Sequence, residues 1–448
     1  MDILEILKVV NNFVWGPPLL VLLVATGVIL TVRLGLIQII KLPNAFKLIF
    51  KAENNGTGDI NSFGALCTAL AATVGTGNIV GVATAISAGG PGALFWMWVA
   101  AFFGMATKYA EGVLAIKYRS IDENGQVSGG PMYYIEKGLG KKFKPLAIFF
   151  ACSGILVALL GIGTFSQVNS IATSIESTTG VDTRITSIVV AVLVGVIIFG
   201  GIQSISKVAE KVVPFMAITY IVITLIILGN NLEQIIPSLK MIFEGAFTPT
   251  AAIGGFAGSV MAQAIQAGIA RGVFSNESGL GSAPIAAAAA KTEWPAEQGL
   301  ISMTGTFIDT IIICTLTGLA LIVTGVWHGD TTGAVMTQDA FAQVIPTLGP
   351  ILVTICLTLF AFTTILGWCY YGERCLEYLM GVKGINIYRI VFLVMVMLGG
   401  FIELEVIWTL ADIVNGLMAL PNLIGLIGLS GVVVKETQKY MAYIKEQV

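Results

Sequence analysis

Long apolar stretches separated by short polar segments dominate this sequence. A transmembrane helix needs about 20 predominantly apolar residues, and the stretches that meet this requirement predict eleven spans. The predicted spans are residues 13–33, 60–87, 90–118, 146–175, 184–204, 210–229, 251–290, 298–326, 348–379, 387–402 and 405–434. The alternating pattern of a membrane-spanning strand is absent from the sequence. The pattern therefore predicts an all-α membrane protein with 11 transmembrane helices.

Composition supports the membrane assignment and excludes several classes of function. Of 448 residues, 56% are hydrophobic and 11% are charged, whereas globular domains carry about 25% charged residues. The net charge of −2 gives no basic surface for nucleic acid. His328 is the single histidine, so no Ser/His/Asp set can form. Neither a phosphate-binding P-loop nor a C-x-x-C zinc pattern occurs, so the sequence predicts no enzyme.

The distribution of basic residues predicts the orientation of the chain. Asp2 and Glu5 precede the first apolar stretch and no small-residue cleavage pattern follows it, so we expect a retained first span. With the N-terminus outside, twenty Lys and Arg residues, Lys108 among them, fall on the cytoplasmic side and three outside, while Arg271 lies within a span. The excess of basic residues marks the cytoplasmic side. We expect a multi-pass cell-membrane protein with an outer N-terminus and a cytoplasmic C-terminus.

The eleven spans divide into one helix followed by two sets of five. Five crossings separate the two sets, so their orientations are opposite. Each set opens with a long, Gly-rich apolar segment that is interrupted near its middle, which is typical of the central site of a secondary transporter. The predicted divisions are 1–55 (extra helix and connector), 56–232 (first repeat), 240–434 (second repeat) and 435–448 (cytoplasmic tail).

The first interruption contains Thr73, Gly75, Thr76 and Gly77. Each glycine costs a helix interior about 0.5–1 kcal/mol relative to alanine. A helix broken here would present free N–H groups to a carboxylate on one side and bare carbonyls to Na⁺ or an ammonium group on the other. Thr73, Thr76 and Gly77 are therefore candidate substrate contacts. The alternative is a small-residue surface that packs against another helix.

The second interruption is a polar run within residues 263–284 that cannot face lipid. Its candidate substrate contacts are Gln266, Ile269, Phe274 and Asn276. Arg271 and Glu277 lie in the same run. Charged groups within a span are costly unless they are paired or hydrated, so these two are expected either to form a structural ion pair or to contact ligand directly.

Two further spans carry candidate side chains near their middle. Phe165 and Gln167 lie in the span 146–175, whereas Thr363, Thr364 and Trp368 lie in the span 348–379. Threonine hydroxyls are hard oxygen ligands suited to Na⁺, and the Trp368 ring could cap a pocket for a small side chain. The alternatives are hydroxyls bonded to their own helix and a ring that packs between helices.

The remaining acidic residues allow several interpretations. Asp309 lies within the span 298–326, where it could relay protons or pair with Arg271. Glu403, Glu405 and Asp412 cluster toward the outer side of the membrane, and we expect them to be solvated or structural.

Three motifs resemble the alanine/glycine:cation symporter family, also called sodium:alanine symporters. They are GGPGALFWMW at 89–98, ARGVFSNESGLGSAPIA at 270–286 and VGTGNIVG at 74–81. The resemblance implies the amino acid–polyamine–organocation superfamily and a LeuT-like 5+5 inverted repeat plus one N-terminal helix. It also implies that amides at Thr76 and Gly77 bind the substrate carboxylate. By the same similarity, a sodium ion lies among Ala71, Val74, Thr363 and Thr364, and Asn78 is a weaker candidate for another.

The expected function is Na⁺-coupled symport of alanine or glycine into the cell by alternating access, without an organic cofactor. A proton is the alternative coupling ion. A gated channel or an amino-acid sensor is the less favoured alternative. The expected partners are the small neutral amino acid and the lipid bilayer.

Overall fold

The structure, a computed structural model, describes residues 3–50, 56–247, 257–401 and 405–447. Helices make up most of these residues, and β1 (Ser120–Ile121) pairs with β2 (Val127–Ser128) in a short antiparallel hairpin. The helices before the first predicted repeat are α1 (Ile3–Val14), α2 (Pro17–Arg33), α3 (Ile37–Ile40) and α4 (Leu42–Phe50).

The helices of the two predicted repeats follow in order. Those of the first are α5 (Ser62–Thr73), α6 (Val82–Gly89), α7 (Gly92–Tyr118), α8 (Pro131–Tyr134), α9 (Lys144–Leu160), α10 (Phe165–Thr179), α11 (Thr183–Ile198) and α12 (Gly201–Gly229). After them come α13 (Leu232–Phe247), α14 (Ala257–Asn276), α15 (Ala283–Ala288), α16 (Pro295–Thr306), α17 (Thr315–Val323), α18 (Gly333–Val344), α19 (Leu348–Met380), α20 (Ile385–Leu398) and α21 (Glu405–Gln447). The π-helical segments are Gly77–Gly81, Ile135–Leu139 and Phe307–Cys314, and the 3₁₀ turns are Lys141–Phe143, Val326–His328 and Val382–Gly384.

Several of these helices are long and apolar enough to cross a bilayer. In the described part of the chain, seven qualify by length and composition, and an eighth does if Ser62–Thr73 and Gly77–Gly89 are counted as one broken span. Thr183–Ile198 is a shorter apolar helix. The count of eleven spans therefore stays a prediction, and the start of the predicted span 251–290 lies outside the described residues.

Two broken helices pack against each other. The axis bends by 51° between Ser62–Thr73 and Gly77–Gly89, and residues 277–282 separate α14 from α15. Helix α5 packs against α15 and α6 packs against α14. The two interruptions, called here the first break (residues 74–76) and the second break (residues 277–282), therefore lie next to each other.

Several boundaries differ from the sequence prediction. Helix α1 precedes the predicted first span and ends at Val14, just before Gly16 and the two prolines that start α2. The predicted span 146–175 is interrupted at residues 161–164, between α9 and α10. Helix α21 continues to Gln447, so the predicted division at residue 434 does not coincide with a helix end.

Small residues bring α7 and α14 into close contact. A Cβ atom added at Gly268 would lie 2.7 Å from the Trp96 Cβ and would also meet the main chain of Ala93. In the neighbouring contact of α6 with α14, a Cβ atom added at Gly89 would lie 2.7 Å from the Ala264 Cα. Glycine at such positions allows two helices to approach closely within a membrane, and here it fixes the distance between the second broken helix and its neighbour.

We expect Gly268→Ala to destabilise the protein by about 1–3 kcal/mol, because an added methyl group overpacks the contact between α7 and α14. Thermal unfolding in detergent, followed by tryptophan fluorescence, measures the effect. Gly431→Ala is the matched control, since no atom of the described residues lies within 4 Å of its added Cβ. Equal melting temperatures for the two variants would contradict the packing argument.

Candidate functional site

The first break interrupts the main-chain hydrogen bonds of the helix, so its polar groups need partners from elsewhere. Helix α5 ends at Thr73 and Val74 is extended, with φ −77° and ψ 90°. The Gly75 N–H donates to the Asn78 Oδ1 at 2.9 Å, and the Thr76 N–H donates to the Gln167 Oε1 at 3.4 Å. The Thr76 hydroxyl is buried and has no hydrogen-bond partner among the described residues. The break therefore holds a polar group that is available to a ligand.

Helix α19 contacts the first break through its mid-span threonines. The Thr364 hydroxyl lies 3.1 Å from the Ala71 carbonyl oxygen and 3.0 Å from that of Phe360. The Thr363 hydroxyl lies 3.1 Å from the Leu359 carbonyl oxygen, within its own helix. Thr364 thus reaches the carbonyl end of α5, while Thr363 makes the back-bond that was its alternative interpretation.

Asp309 connects the two breaks. Its side chain is fully buried in the π-helical segment Phe307–Cys314. The Asn78 Nδ2 donates to its Oδ1 at 2.6 Å, and the hydroxyls of Ser275 and Thr310 donate to its Oδ2 at 2.9 and 2.7 Å. The pairing of Asp309 with Arg271, one of its two predicted alternatives, is wrong, because Arg271 forms its ion pair with Asp412. Single-turn π segments are frequent at functional sites.

Arg271 forms its ion pair with a residue of α21. Its Nη2 lies 3.2 Å from the Asp412 Oδ2, and its guanidinium carbon lies 5.4 Å from the centre of the Phe274 ring. The Arg271–Glu277 ion pair, one of two predicted alternatives, is wrong: Glu277 lies beyond the end of α14, and its Oε2 accepts a hydrogen bond from Ser282 at 2.6 Å. Asp412 is structural, whereas the side chains of Glu403 and Glu405 lie outside the described residues.

A cavity leads from the side of α1 to the first break. It encloses about 420 Å³, with Thr76, Phe274, Arg271 and Asp412 among its lining residues. A neighbouring cavity of about 390 Å³ shares Arg271 and Phe274 and includes Gln266. We call the two together the vestibule. Helix α1 contributes Asn11 and Asn12 to both parts, so this helix forms part of the approach to the site.

The opposite side of the two broken helices is held closed. The N–H groups of Asp59 and Ile60 both donate to the Ala289 carbonyl oxygen, and the Lys291 N–H donates to that of Ile60 at 2.8 Å. The Arg119 guanidinium donates to four main-chain oxygens around this contact, those of Thr57, Ala288, Ala290 and Thr292. Burial raises the pKa of Asp59, which also accepts the Val127 N–H at 2.9 Å.

The other predicted site residues take varied positions. Phe165 and Gln167 are buried in the first turn of α10. The Thr73 hydroxyl lies 3.1 Å from the Ala69 carbonyl oxygen and lines a separate small cavity. Ile269 packs in the hydrophobic core.

The two remaining candidates lie near the second break and α19. The Asn276 side chain bonds to Thr310 and to the Ser278 amide. Trp368 is fully buried and packs edge-on against Tyr371. Neither residue lines the vestibule as the described residues form it. The structure therefore brings Ala71, Thr76, Gln167 and Thr364 together at the first break, and it places Asn276 and Trp368 elsewhere.

Sequence reasoning missed several buried polar groups. Lys108 was counted as a charge of the cytoplasmic side, but it is 2% exposed within α7. Glu111 on the same helix is fully buried. Asn11 and Asn12 of α1 were also missed. Polar side chains inside an apolar span are a functional signal, and Lys108 and Glu111 in the span 90–118 could have been found on that ground.

Comparison with known proteins gives consistent results. The sequence model of the sodium:alanine symporter family matches residues 1–448. The sodium/alanine symporter AgcS of Methanococcus maripaludis is 54% identical, covering 98% of both chains. The probable sodium/glutamine symporter GlnT of Bacillus subtilis is 36% identical, covering 98% of this chain and 91% of the relative.

Solved structures show the fold. The protein MhsT, in complex with L-phenylalanine, superposes with a TM-score of 0.52 at 13% identity, covering 85% of this chain and 99% of that chain. A point mutant of the manganese transporter of Eremococcus coleocola gives a TM-score of 0.53 at 12% identity, covering 85% of this chain and 82% of that chain. These are LeuT-fold transporters, so the predicted LeuT-like fold is confirmed.

We expect Asn78→Ala to destabilise the protein by about 1–3 kcal/mol or more, because it leaves the Gly75 N–H unpaired and removes a donor from the buried Asp309 carboxylate. Thermal unfolding in detergent measures the change. Asn231→Ala is the control, since the Asn231 side chain bonds at its own helix end, to the Ile227 carbonyl oxygen. If Asn78→Ala unfolds at the same temperature as this control, the Asn78–Asp309 contact contributes nothing to stability.

Proposed function

This chain belongs to the sodium:alanine symporter family and is a sodium-coupled amino-acid symporter, and from that premise we propose that it carries alanine or glycine into the cell by alternating access. It is a multi-pass membrane protein and not an enzyme. The observation that carries the proposal is the first break, where a buried hydroxyl without a partner among the described residues lies beside main-chain groups at the end of an open vestibule.

The substrate carboxylate is proposed to bind at Thr76 and Gly77. The chain resumes a helical path at Gly77, and the start of a helix offers free N–H groups and a partial positive charge to an anion. The long 3.4 Å contact between the Thr76 N–H and Gln167 leaves that amide able to exchange its partner for a carboxylate. Phe274 covers the site from the vestibule side. The weaker candidates on this geometry are Thr73, Gln266, Ile269, Asn276, Phe165 and Trp368.

The sodium ion is proposed to bind between α5 and α19. The Ala71 carbonyl oxygen and the Thr364 hydroxyl are already 3.1 Å apart, and rotation of the hydroxyl hydrogen away from the carbonyl would leave lone pairs of both oxygens free to bind a cation. Hard cations prefer such oxygen ligands. Val74 and Thr363 complete the proposed set, and Asn78 is proposed for a second cation beside Asp309.

Coupling follows from electrostatics. A sodium ion close to the carboxylate of a bound amino acid lowers the free energy of holding both charges away from water. Each ligand therefore raises the affinity for the other by the same factor. A proton is the weaker alternative, because the matching family and the relative AgcS are both named for sodium.

Alternating access gives the two sides of the site different roles. We place the vestibule outside and the Arg119 contacts on the cytoplasmic side of the cell membrane, as the basic residues indicate. The Arg271–Asp412 pair then lies at the outer approach to Thr76. Opening of the cytoplasmic side requires the main-chain contacts between residues 59–60 and 289–291 to separate.

Uptake of labelled alanine into proteoliposomes tests the function. An inward Na⁺ gradient at equal pH should concentrate alanine inside, because sodium and substrate move together, and excess unlabelled glycine should compete. A pH gradient without sodium serves as the control and should drive no accumulation. Accumulation driven by protons alone would contradict sodium coupling, and uptake that never exceeds equilibrium would indicate a channel.

We expect Thr364→Val to raise the Na⁺ concentration for half-maximal uptake by about tenfold to a hundredfold, since losing one charge-contacting oxygen ligand costs roughly 1.5–3 kcal/mol. Sodium titration of alanine uptake measures it. Thr324→Val is the control, because the Thr324 hydroxyl contacts carbonyl oxygens of its own helix. An unaltered sodium titration for Thr364→Val would remove this residue from the ion site.

A further inference from the structure

The second break has the same two kinds of free main-chain ends as the first. Helix α14 ends at Asn276, which leaves carbonyl groups at its C-terminal end, and α15 begins again at Ala283. Glu277, Gly279 and Gly281 between them have positive φ values of 57°, 87° and 84°. This backbone cannot continue the helical hydrogen-bond pattern, so its polar groups need other partners within the membrane.

Lys108 occupies the carbonyl end of this break. Its ammonium group donates to the Asn276 carbonyl oxygen at 2.8 Å, and the side chain is 2% exposed. The C-terminal end of a helix carries a partial negative charge, which a cation stabilises. Lys108 therefore lies where a bound cation or a substrate ammonium group would otherwise be expected.

Glu111 accepts a main-chain amide within the same break. Its Oε1 accepts the Gly279 N–H at 3.1 Å and the Asn422 Nδ2–H at 2.7 Å, while the Asn422 Nδ2 also donates to the Gly279 carbonyl oxygen at 2.9 Å. Glu111 is fully buried. Because it follows Lys108 by three residues, both side chains project from one face of α7.

We propose that Lys108 and Glu111 together take the place that a transported amino acid takes at the first break: the Lys108 ammonium binds the carbonyl end of the second break, and the Glu111 carboxylate binds an amide within it. The proposal rests on the proposed function of the first break, where substrate and sodium satisfy the equivalent groups. The chain itself satisfies the second break, so the transported substrate is confined to the first. Lys108 and Glu111 are positioning residues that act through Asn276 and Gly279.

The charged groups around Lys108 and Glu111 make the protein sensitive to the loss of either side chain. Lys108 interacts electrostatically with Glu111, with Glu277 of the break and with Asp309 of the π-helical segment. All three carboxyl groups are buried. Removing one partner of a buried charge pair leaves the other uncompensated, whereas replacing both with neutral groups avoids that cost. Without the Lys108 ammonium, these carboxyl groups lose the cationic partner that they share, and a further cation can take its place.

Sodium titration of alanine uptake by Lys108→Met tests the proposal. We expect maximal uptake to fall at least tenfold, and the Hill coefficient for Na⁺ to rise by about one, because a further sodium ion compensates the unpaired carboxylates. The double variant Lys108→Met/Glu111→Gln should take up alanine at least about five times faster than Lys108→Met and should show the wild-type Hill coefficient. Lys117→Met is the control, since Lys117 is a partly exposed lysine of the same helix.

Other outcomes separate this proposal from its premise. The proposal would be overturned by an unchanged Hill coefficient in Lys108→Met, or by a double variant that is no more active than the single one. In either case, sodium-driven uptake by the wild-type protein would still support the proposed function. If Lys108→Met does not fold, Glu111→Gln provides the test. In Glu111→Gln the Lys108 ammonium loses one of its carboxylate partners, and its positive charge should raise the Na⁺ concentration for half-maximal uptake at least about threefold. An unchanged value would overturn the proposal.

Discussion

The bilayer provides no water to hydrogen-bond a main-chain group, and the structure of this protein depends on that constraint. Two helices are nevertheless interrupted near the centre of the molecule, at residues 74–76 and 277–282. Each interruption leaves N–H and carbonyl groups that need partners from elsewhere in the protein or from a ligand. How each set of groups is satisfied decides what each break does.

The two breaks are satisfied differently. At the second break, buried side chains of α7 and α21 hydrogen-bond to the main-chain groups of Asn276 and Gly279. At the first break, the Thr76 hydroxyl has no partner within the described chain and the Thr76 amide has a long contact to Gln167. Asp309 connects both breaks through Asn78 and Ser275. A change at the ligand site therefore has a direct physical route to the neighbouring broken helix.

Access to the first break differs on its two sides. The vestibule extends from α1 past the Arg271–Asp412 pair to Thr76. On the other side, main-chain hydrogen bonds between residues 59–60 and 289–291 and the Arg119 guanidinium hold the two broken helices together. The first break is therefore accessible from one side and closed on the other in this structure. Asn11 and Asn12 of helix α1 line the vestibule, so the N-terminal helix forms part of the path to the first break.

The sequence alone determined the helical membrane fold, the two interrupted helices and the polar residues at the first break, because hydropathy and glycine clusters depend on local sequence and on the bilayer. Only the tertiary structure decided the partners. Arg271 pairs with Asp412, 141 residues away, and Asn78 rather than Arg271 contacts Asp309. The sequence placed Lys108 among the charges of the cytoplasmic side, whereas packing places it against Asn276. Charge pairing depends on which helix faces come together, and no local pattern in the sequence specifies that.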